Sequence, residues 1–467
     1  GGMDNGTLST MMCNTTGNRN TAIGNAALVK NTTADNNTAV GTLALYANTT
    51  GAKNSAFGVF ALENNTTGAE NVALGKDSLG ANTTGPNNTA VGTNSLRRNT
   101  EGEDNTAVGN LALCTNTTGD HNVAVGLSAL HKNTTADNNV AVGTCASGCN
   151  TDGHSNVSIG FSALCTNTTG DKNIAIGHQS LLSLATANEI VAIGYNSLRA
   201  LTTGTDNTAV GFEAGKSITT GDRNTAMGYL ALSTMTTVAD NTAVGYKAMT
   251  ANTSGSNNTA VGKDAMLANT TGANNVAIGQ NALETSTSGG ANTAVGQLAA
   301  QDLTTGAENT AIGHEAGNNI TTGTNNTLLG HEAGTDAVAN VVASNGNIVI
   351  GNNYSASAKI KIDWTVTSDL RDKTEIESVP HGLNFVNQIT PIKYRFKTSR
   401  ENDTPNGVTR YGFKAQEILA LEGENPVLVD NGDTDNLKLT GAYLLPVLVN
   451  AIKELKARIE VLENEWS

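Results

Sequence analysis

The chain has 467 residues, with 51 Gly, 6 Pro, 4% aromatic and 15% charged residues. So few large side chains exclude a conventional globular enzyme core, and whatever core forms must be thin. The formal net charge of −14 excludes a nucleic-acid-binding rod, whose phosphate contacts need clustered Lys and Arg, and no run of 18 apolar residues offers a membrane span.

Residues 1–19 carry no basic-then-apolar secretory signal and read as an N-terminal cap or a truncated first coil. From residue 20 to 334 one phrase recurs, NTAVGxxALxxNTTGxx. Its glycine falls at nineteen positions from Gly24 to Gly330, always 17 residues apart. Loops on a globular scaffold tolerate length changes. An array that admits none must stack each unit in register on the last, which is the signature of a solenoid.

Four residues before the glycine, Asn holds 18 of 19 copies, with Ile190 the exception. One residue before it every copy is apolar, and three residues after it every copy is Ala or Ser. Short apolar runs of period two, interrupted by Asn, Thr and Gly, predict β coils of about two strands and two turns each. Nineteen coils at strand spacing give a rod of about 90 Å. The Asn column predicts a ladder of side-chain amides and a residue tolerant of left-handed turns. A coil filled by Ala, Val and Leu buries little and exposes a flank, so lateral association is expected, as a homotrimer.

The array resembles the head repeats of trimeric autotransporter adhesins, left-handed parallel β-rolls that assemble as trimers. It departs from them in its 17-residue period, longer than usual there, and in having no C-terminal membrane barrel.

Three groups of residues on the rod stand out. The residue after the repeat glycine is mostly polar, yet in six consecutive rungs it is Phe161, His178, Tyr195, Phe212, Tyr229 and Tyr246. Five of the chain's 17 aromatics thus form one stripe about 24 Å long at rung spacing. Such a stripe suits a sugar chain through apolar ring contacts. It equally suits a protomer contact or simple padding of one rung on the next. The last two rungs place His314 beside His331 and Glu315 beside Glu332, a set able to hold a metal or to form a solvated end cap; no metal or other cofactor is assigned. Five cysteines, Cys13, Cys114, Cys145, Cys149 and Cys165, are expected as free thiols. No cleft with paired carboxylates, as glycan hydrolysis requires, can be read from the repeats.

Residues 335–367 read as a neck. Gly351 follows Gly330 by 21 residues rather than 17, and residues 359–364, KIKIDW, alternate as a strand. From 368 to 467 the composition turns ordinary, with Pro380, Pro391, Phe396, Tyr411 and Phe413. Leu448, Ile452, Leu455, Ile459 and Leu462 step by 4, 3, 4 and 3, a heptad seam on a final helix.

The stretches TSDLRDKTEI, LNFVNQITPIKYRF, RYGFKAQEI and AYLLPVLVNAIKELKARIEVLE occur in this order over Ser368–Glu463. Together they resemble the C-terminal intramolecular chaperone domain of endosialidase-type phage fibres, an autoproteolytic Ser-Lys peptidase family. That resemblance implies a domain that trimerises, templates the folding of the β-structured fibre before it, and cuts itself off ahead of the motif serine. It implies Ser368 as nucleophile, Lys373 as its partner and Thr367–Ser368 as the scissile bond. The chemistry is reasonable on its own terms. A serine hydroxyl is a poor nucleophile until a base takes its proton, and a lysine serves only when burial or nearby positive charge favours its neutral form. Arg371 is one source of such charge, and Asp369 could orient the turn.

The expectation is therefore a mainly β, trimeric parallel β-solenoid followed by a small α+β chaperone domain that ends in a coiled-coil helix. As a function it implies a bacteriophage tail fibre located in the virion tail. Its partners would be two further copies of itself, a host surface glycan or other receptor, and tail or baseplate proteins at the N-terminal side. The alternative is a bacterial surface or extracellular adhesive fibre with the same chaperone. Self-cleavage would occur once in cis, without turnover.

Overall fold

The computed structural model describes residues 9–335, 339–352, 354–355, 368–397, 400, 402–432, 434 and 437–466. The expected strand at 359–364 and the scissile residue Thr367 lie outside them. The chain divides into two units: residues 1–333 with 341–349, and residues 334–340 with 350–467.

In the first unit each strand comprises the three residues before a repeat glycine, from β1 (Thr21–Ile23) to β19 (Thr327–Leu329). Each pairs in parallel with the strand one repeat on: Thr21 faces Thr38, Ala22 faces Ala39, and Ile23 faces Val40. The expectation of two strands per coil is corrected to one. The second apolar run, after the glycine, is a series of turns in which residues two and four after the glycine are left-handed, as at Leu43 (φ 59°) and Leu45 (φ 51°).

Hydrogen bonding explains this alternation. Leu43 N donates back to Asn25 O (2.9 Å), whereas Leu45 N donates forward to Ala61 O (3.0 Å). The backbone is thus bonded to both neighbouring rungs without extending into a strand. A left-handed non-glycine residue costs about 1–2 kcal/mol. Full burial of the Leu45 side chain contributes about 1.5–3 kcal/mol in return.

The core is as thin as the composition demands: the central residue of the strand, Ala in most rungs, the Ala or Ser three residues after the glycine, and the residue that follows, most often Leu or Met. The repeat glycine is obligatory twice over. Gly126 has φ +136°, and a Cβ there would stand 2.6 Å from Gly143 O, closer than real Cβ contacts come.

Two buried Asn columns hold the rungs together. In the column predicted from the sequence, Asn105 Oδ1 accepts from Asn122 N (3.0 Å), and Asn105 Nδ2 donates to Gly119 O (2.8 Å). This side chain therefore caps backbone groups more than it stacks on its own kind. Direct amide-to-amide bonding runs through both columns: in the first, Asn122 Nδ2 donates to Asn105 Oδ1 (3.1 Å), and in a second, the Asn of each NTTG, Asn48 Nδ2 donates to Asn31 Oδ1 (3.0 Å) and Asn65 Nδ2 to Asn48 Oδ1 (2.9 Å). One residue further on, Thr66 Oγ1 donates to Thr83 O (3.0 Å). Where the second column changes to Leu184 and Leu201, the first column has Ile190, and all three are fully buried. The two columns meet across the coil, as the contact of Asn241 Nδ2 with Met235 Sδ shows; the second column is also apolar at Ile218, Met235, Leu303 and Ile320, where the first keeps its Asn.

Asn105→Ala should leave the buried Asn122 N–H without its partner, at about 1–3 kcal/mol, while the Gly119 carbonyl keeps the bond from Asn116 Nδ2 (2.9 Å). The expected result is faster hydrogen exchange at the Asn122 amide than in the parent, confined to neighbouring rungs because each coil contacts only its neighbours. Unchanged exchange would show the ladder to be dispensable.

The stack runs one coil beyond residue 334. β20 (Ile348–Ile350) joins the sheet beside β19. The Asn ladder survives the 21-residue step, because Asn347 N donates to Asn326 Oδ1 (2.9 Å).

The second unit contains α1 (Leu383–Gln388), the antiparallel pair β21 (Ile392–Lys397) and β22 (Pro405–Gly412), α2 (Ala415–Glu422), the short pair β23 (Val429–Asp430) and β24 (Lys438–Leu439), and α3 (Leu444–Glu465). Phe385, Ile418, Leu428, Val429, Leu444 and Val447 form its core. Only the first two turns of α3 contribute. Leu383 N and the carbonyl of His381 tie α1 to α3 through Glu454 Oε2 (2.8 Å) and Asn450 Nδ2 (2.9 Å). Among the described residues no helix is long and apolar enough to cross a membrane.

Candidate functional site

Ser368 and Lys373 flank a single 3-10 turn, Leu370–Asp372. Asp369 caps it, its Oδ1 accepting from Arg371 N (2.9 Å), and Lys373 N closes it by donating to Leu370 O (3.2 Å). The turn folds the lysine back onto the serine: Lys373 Nζ donates to Ser368 Oγ (2.8 Å) and to Ser368 O (3.2 Å). Two groups five residues apart thus stand at proton-transfer distance, with the hydroxyl adjoining the expected scissile peptide.

Arg371 does not address the lysine. Its guanidinium is bound to the Asp369 carboxylate (Nε to Oδ1, 3.0 Å). That bond holds the carboxyl below its usual range and raises the guanidinium above its own. The pair is close to neutral as a unit and locks the turn. Ser368 and Lys373 are both exposed in the single chain.

On the solenoid, the six rings from Phe161 to Tyr246 form a continuous stack, with centroids 5.0–5.3 Å apart and planes within 7–16° of parallel. Their faces cover one another, so edges and hydroxyls meet solvent. His314 and His331 stack likewise at 5.2 Å. Each imidazole sits near the Glu of its own rung, His314 Nε2 3.7 Å from Glu315 and His331 Nδ1 3.5 Å from Glu332. Among the described residues no group of three or more His, Cys, Asp or Glu is arranged to hold a metal ion. The five cysteines are free thiols, and burial pushes those of Cys114 and Cys165 up, away from the reactive thiolate.

Sequence reasoning missed two features near these residues. A polar groove lies beside the aromatic stack and is lined by residues from three successive rungs. An apolar groove of about 300 Å³ in the second unit is lined by Val386, Ile389, Phe413, Leu444, Leu445 and Leu448, extending the heptad seam at its first residue. The seam leucine was visible in the heptad steps; the groove required the packing of α1 against α3.

Residues 368–427 match the family model described as the chaperone of endosialidase, and the match begins at Ser368 itself. No curated protein and no solved structure matches the chain. In class, the molecule is a parallel β-solenoid built on nineteen 17-residue repeats. At its C-terminal end it carries a chaperone-of-endosialidase domain.

Proposed function

We propose that this chain is the protomer of a homotrimeric attachment fibre of the bacteriophage-tail kind, whose C-terminal domain assembles the fibre and then severs itself between Thr367 and Ser368. The observation that carries the reading is the pairing of a 19-repeat in-register solenoid with a chaperone-of-endosialidase match that starts at a serine 2.8 Å from a lysine ammonium.

Two exposed apolar surfaces support the oligomer. On the solenoid, the residue before each repeat glycine points away from the buried Ala and is apolar in every rung, with Ile23 60%, Leu74 50% and Ile312 43% exposed. On α3, Leu448, Ile452, Leu455, Ile459 and Leu462 are 41–66% exposed, a seam that a helix of a single chain leaves in water. Ile and Leu alternating in such a seam favour two strands in isolated coiled coils. Over so short a seam, the whole fibre and the packed domain decide the number, and the reading is three.

Assembly also supplies what the dyad lacks. Burying Lys373 favours its neutral form, which can take the Ser368 hydroxyl proton. The alkoxide then attacks the Thr367 carbonyl, the peptide C–N bond breaks, and the proton passes to the new amino group of Ser368. Water hydrolyses the resulting ester to leave a chain ending at Thr367. Cleavage is thereby confined to assembled fibres. The released rod would attach the virion tail to its host through a surface glycan or other receptor, with tail or baseplate proteins at its N-terminal side. Likeness of the repeats to adhesin heads favours one other owner, a bacterial adhesive fibre.

The test is mass in solution. Light scattering of the full chain should give three protomers, and Ile452→Glu with Ile459→Glu should give one, with cleavage lost in the same sample. A monomeric parent would overturn the reading.

A further inference from the structure

The aromatic stack is local, and its locality bears on its purpose. A contact between protomers along the solenoid has a column that is apolar in all nineteen rungs available to it. The column after the glycine is instead polar in six of the eight rungs before the stack (Asn25, Thr42, Lys76, Thr93, Asn110 and Thr144, with Val59 and Leu127 the aliphatic exceptions), and again at Lys263, Gln280 and Gln297 beyond it. Six rungs have been given rings in a position where the fold asks for none.

A groove of about 390 Å³ runs beside these rungs, lined by Ser183, Asn196, Arg199, Glu213, Lys216 and Ser217. Asn196 and Glu213 directly follow the stacked Tyr195 and Phe212 in sequence. Lys216 is paired with Glu213, and that pair is neutral. The Arg199 guanidinium has no ion-pair or hydrogen-bond partner among the described residues, so the groove is net cationic within a chain of net charge −14. Asn196 is 9% exposed and its Oδ1 lacks a hydrogen-bond partner. A buried unpaired amide oxygen is costly unless something satisfies it.

The stacked rings turn their edges outward, and ring edges carry the positive part of the aromatic quadrupole. Tyr195, Tyr229 and Tyr246 add hydroxyls along the same line. A linear array of ring edges, phenols and one free guanidinium suits a repeating ligand that is rich in hydroxyls and anionic.

We infer that the ring stack from Phe161 to Tyr246, with the Arg199 groove beside it, binds a carboxylated polysaccharide lying along the coil axis. Arg199 takes a carboxylate in a bidentate pair. Asn196, Ser183 and Ser217 take sugar hydroxyls, and the tyrosines bond to successive residues of the chain. This deepens the fibre reading by naming the chemistry of its receptor, and it rests on that reading only for its biological setting.

The experiment uses the full chain with three probes: polygalacturonate oligomers, neutral dextran and dextran sulfate. Polygalacturonate should bind, dextran should bind at least about tenfold more weakly, and Arg199→Gln should weaken the first by about tenfold or more, the loss of one charge-assisted pair. Tyr195→Leu with Tyr229→Leu should do the same while leaving the mass in solution unchanged. Three results would overturn the inference. They are a trimer that binds no polygalacturonate, polygalacturonate and dextran sulfate bound alike by parent and both variants, and a ring variant that dissociates, which would make the stack a protomer contact. A monomer that binds polygalacturonate through Arg199 would support the site and sink the fibre reading.

Discussion

Replacing Ser368 with Ala is expected to abolish the fragment ending at Thr367, which the parent chain should release on expression. In the proposed mechanism the Ser368 hydroxyl attacks the preceding carbonyl in cis, and Lys373 Nζ, 2.8 Å from it, acts as its base. Lys373→Arg separates catalysis from structure. An arginine can still donate to Ser368 Oγ and its carbonyl, but it does not deprotonate in proteins, so the turn should persist and cleavage should vanish. Lys373→Met should lose cleavage too. Intact mass and denaturing gels on the parent and three variants provide the readout. Cleavage surviving in Ser368→Ala would remove the serine from the chemistry. Survival in Lys373→Arg alone would make the lysine a positioning residue.

A chain ending at Thr367 should fail to refold from urea into trimers, whereas the uncut Ser368→Ala chain should succeed. The physical reason is register. Successive rungs present nearly the same Ala, Leu, Asn and Thr columns, so a rod displaced by one 17-residue coil makes almost all of its native hydrogen bonds. A parallel sheet with near-equivalent registers gives competing compact states and slow, trap-prone folding. Three chains first joined at the C-terminal domain have a single starting point, and stacking can then propagate coil by coil. The same logic predicts that once formed and cut, the rod stays assembled, because unfolding must dismantle ladders along its length. Light scattering after dilution from urea would measure the recovered trimer. Equal recovery by both chains would show that the solenoid registers itself, leaving the C-terminal domain no templating role.

The candidate dyad was legible because its context is specific: S-D-x-R-x-K followed, in order, by three further stretches. Its geometry was less so. Arg371, a candidate source of positive charge near Lys373, is tied instead to Asp369, because a fork-shaped guanidinium two residues from a carboxylate closes a short bidentate pair. The second Asn column was present in every NTTG but read as turn chemistry. Sequence shows that an Asn recurs, not whether its amide points along the axis to the next Asn or outward to water. The Arg199 groove left no linear signal, since its walls come from three rungs and only stacking brings them together.

The repeat period, the in-register stacking, the recurring glycine, the apolar flank and the break in period after residue 334 were all determined by sequence alone. Each rests on local periodicity or on a steric rule acting at one position. Tertiary structure decided how the second apolar run is folded, which side chains serve the two ladders, how far the stack continues past its broken period, and how Lys373 meets Ser368. Those depend on hydrogen-bond direction and on neighbours 17 or 21 residues away, where identical residue types can satisfy one another in several ways and only the packed coil selects among them.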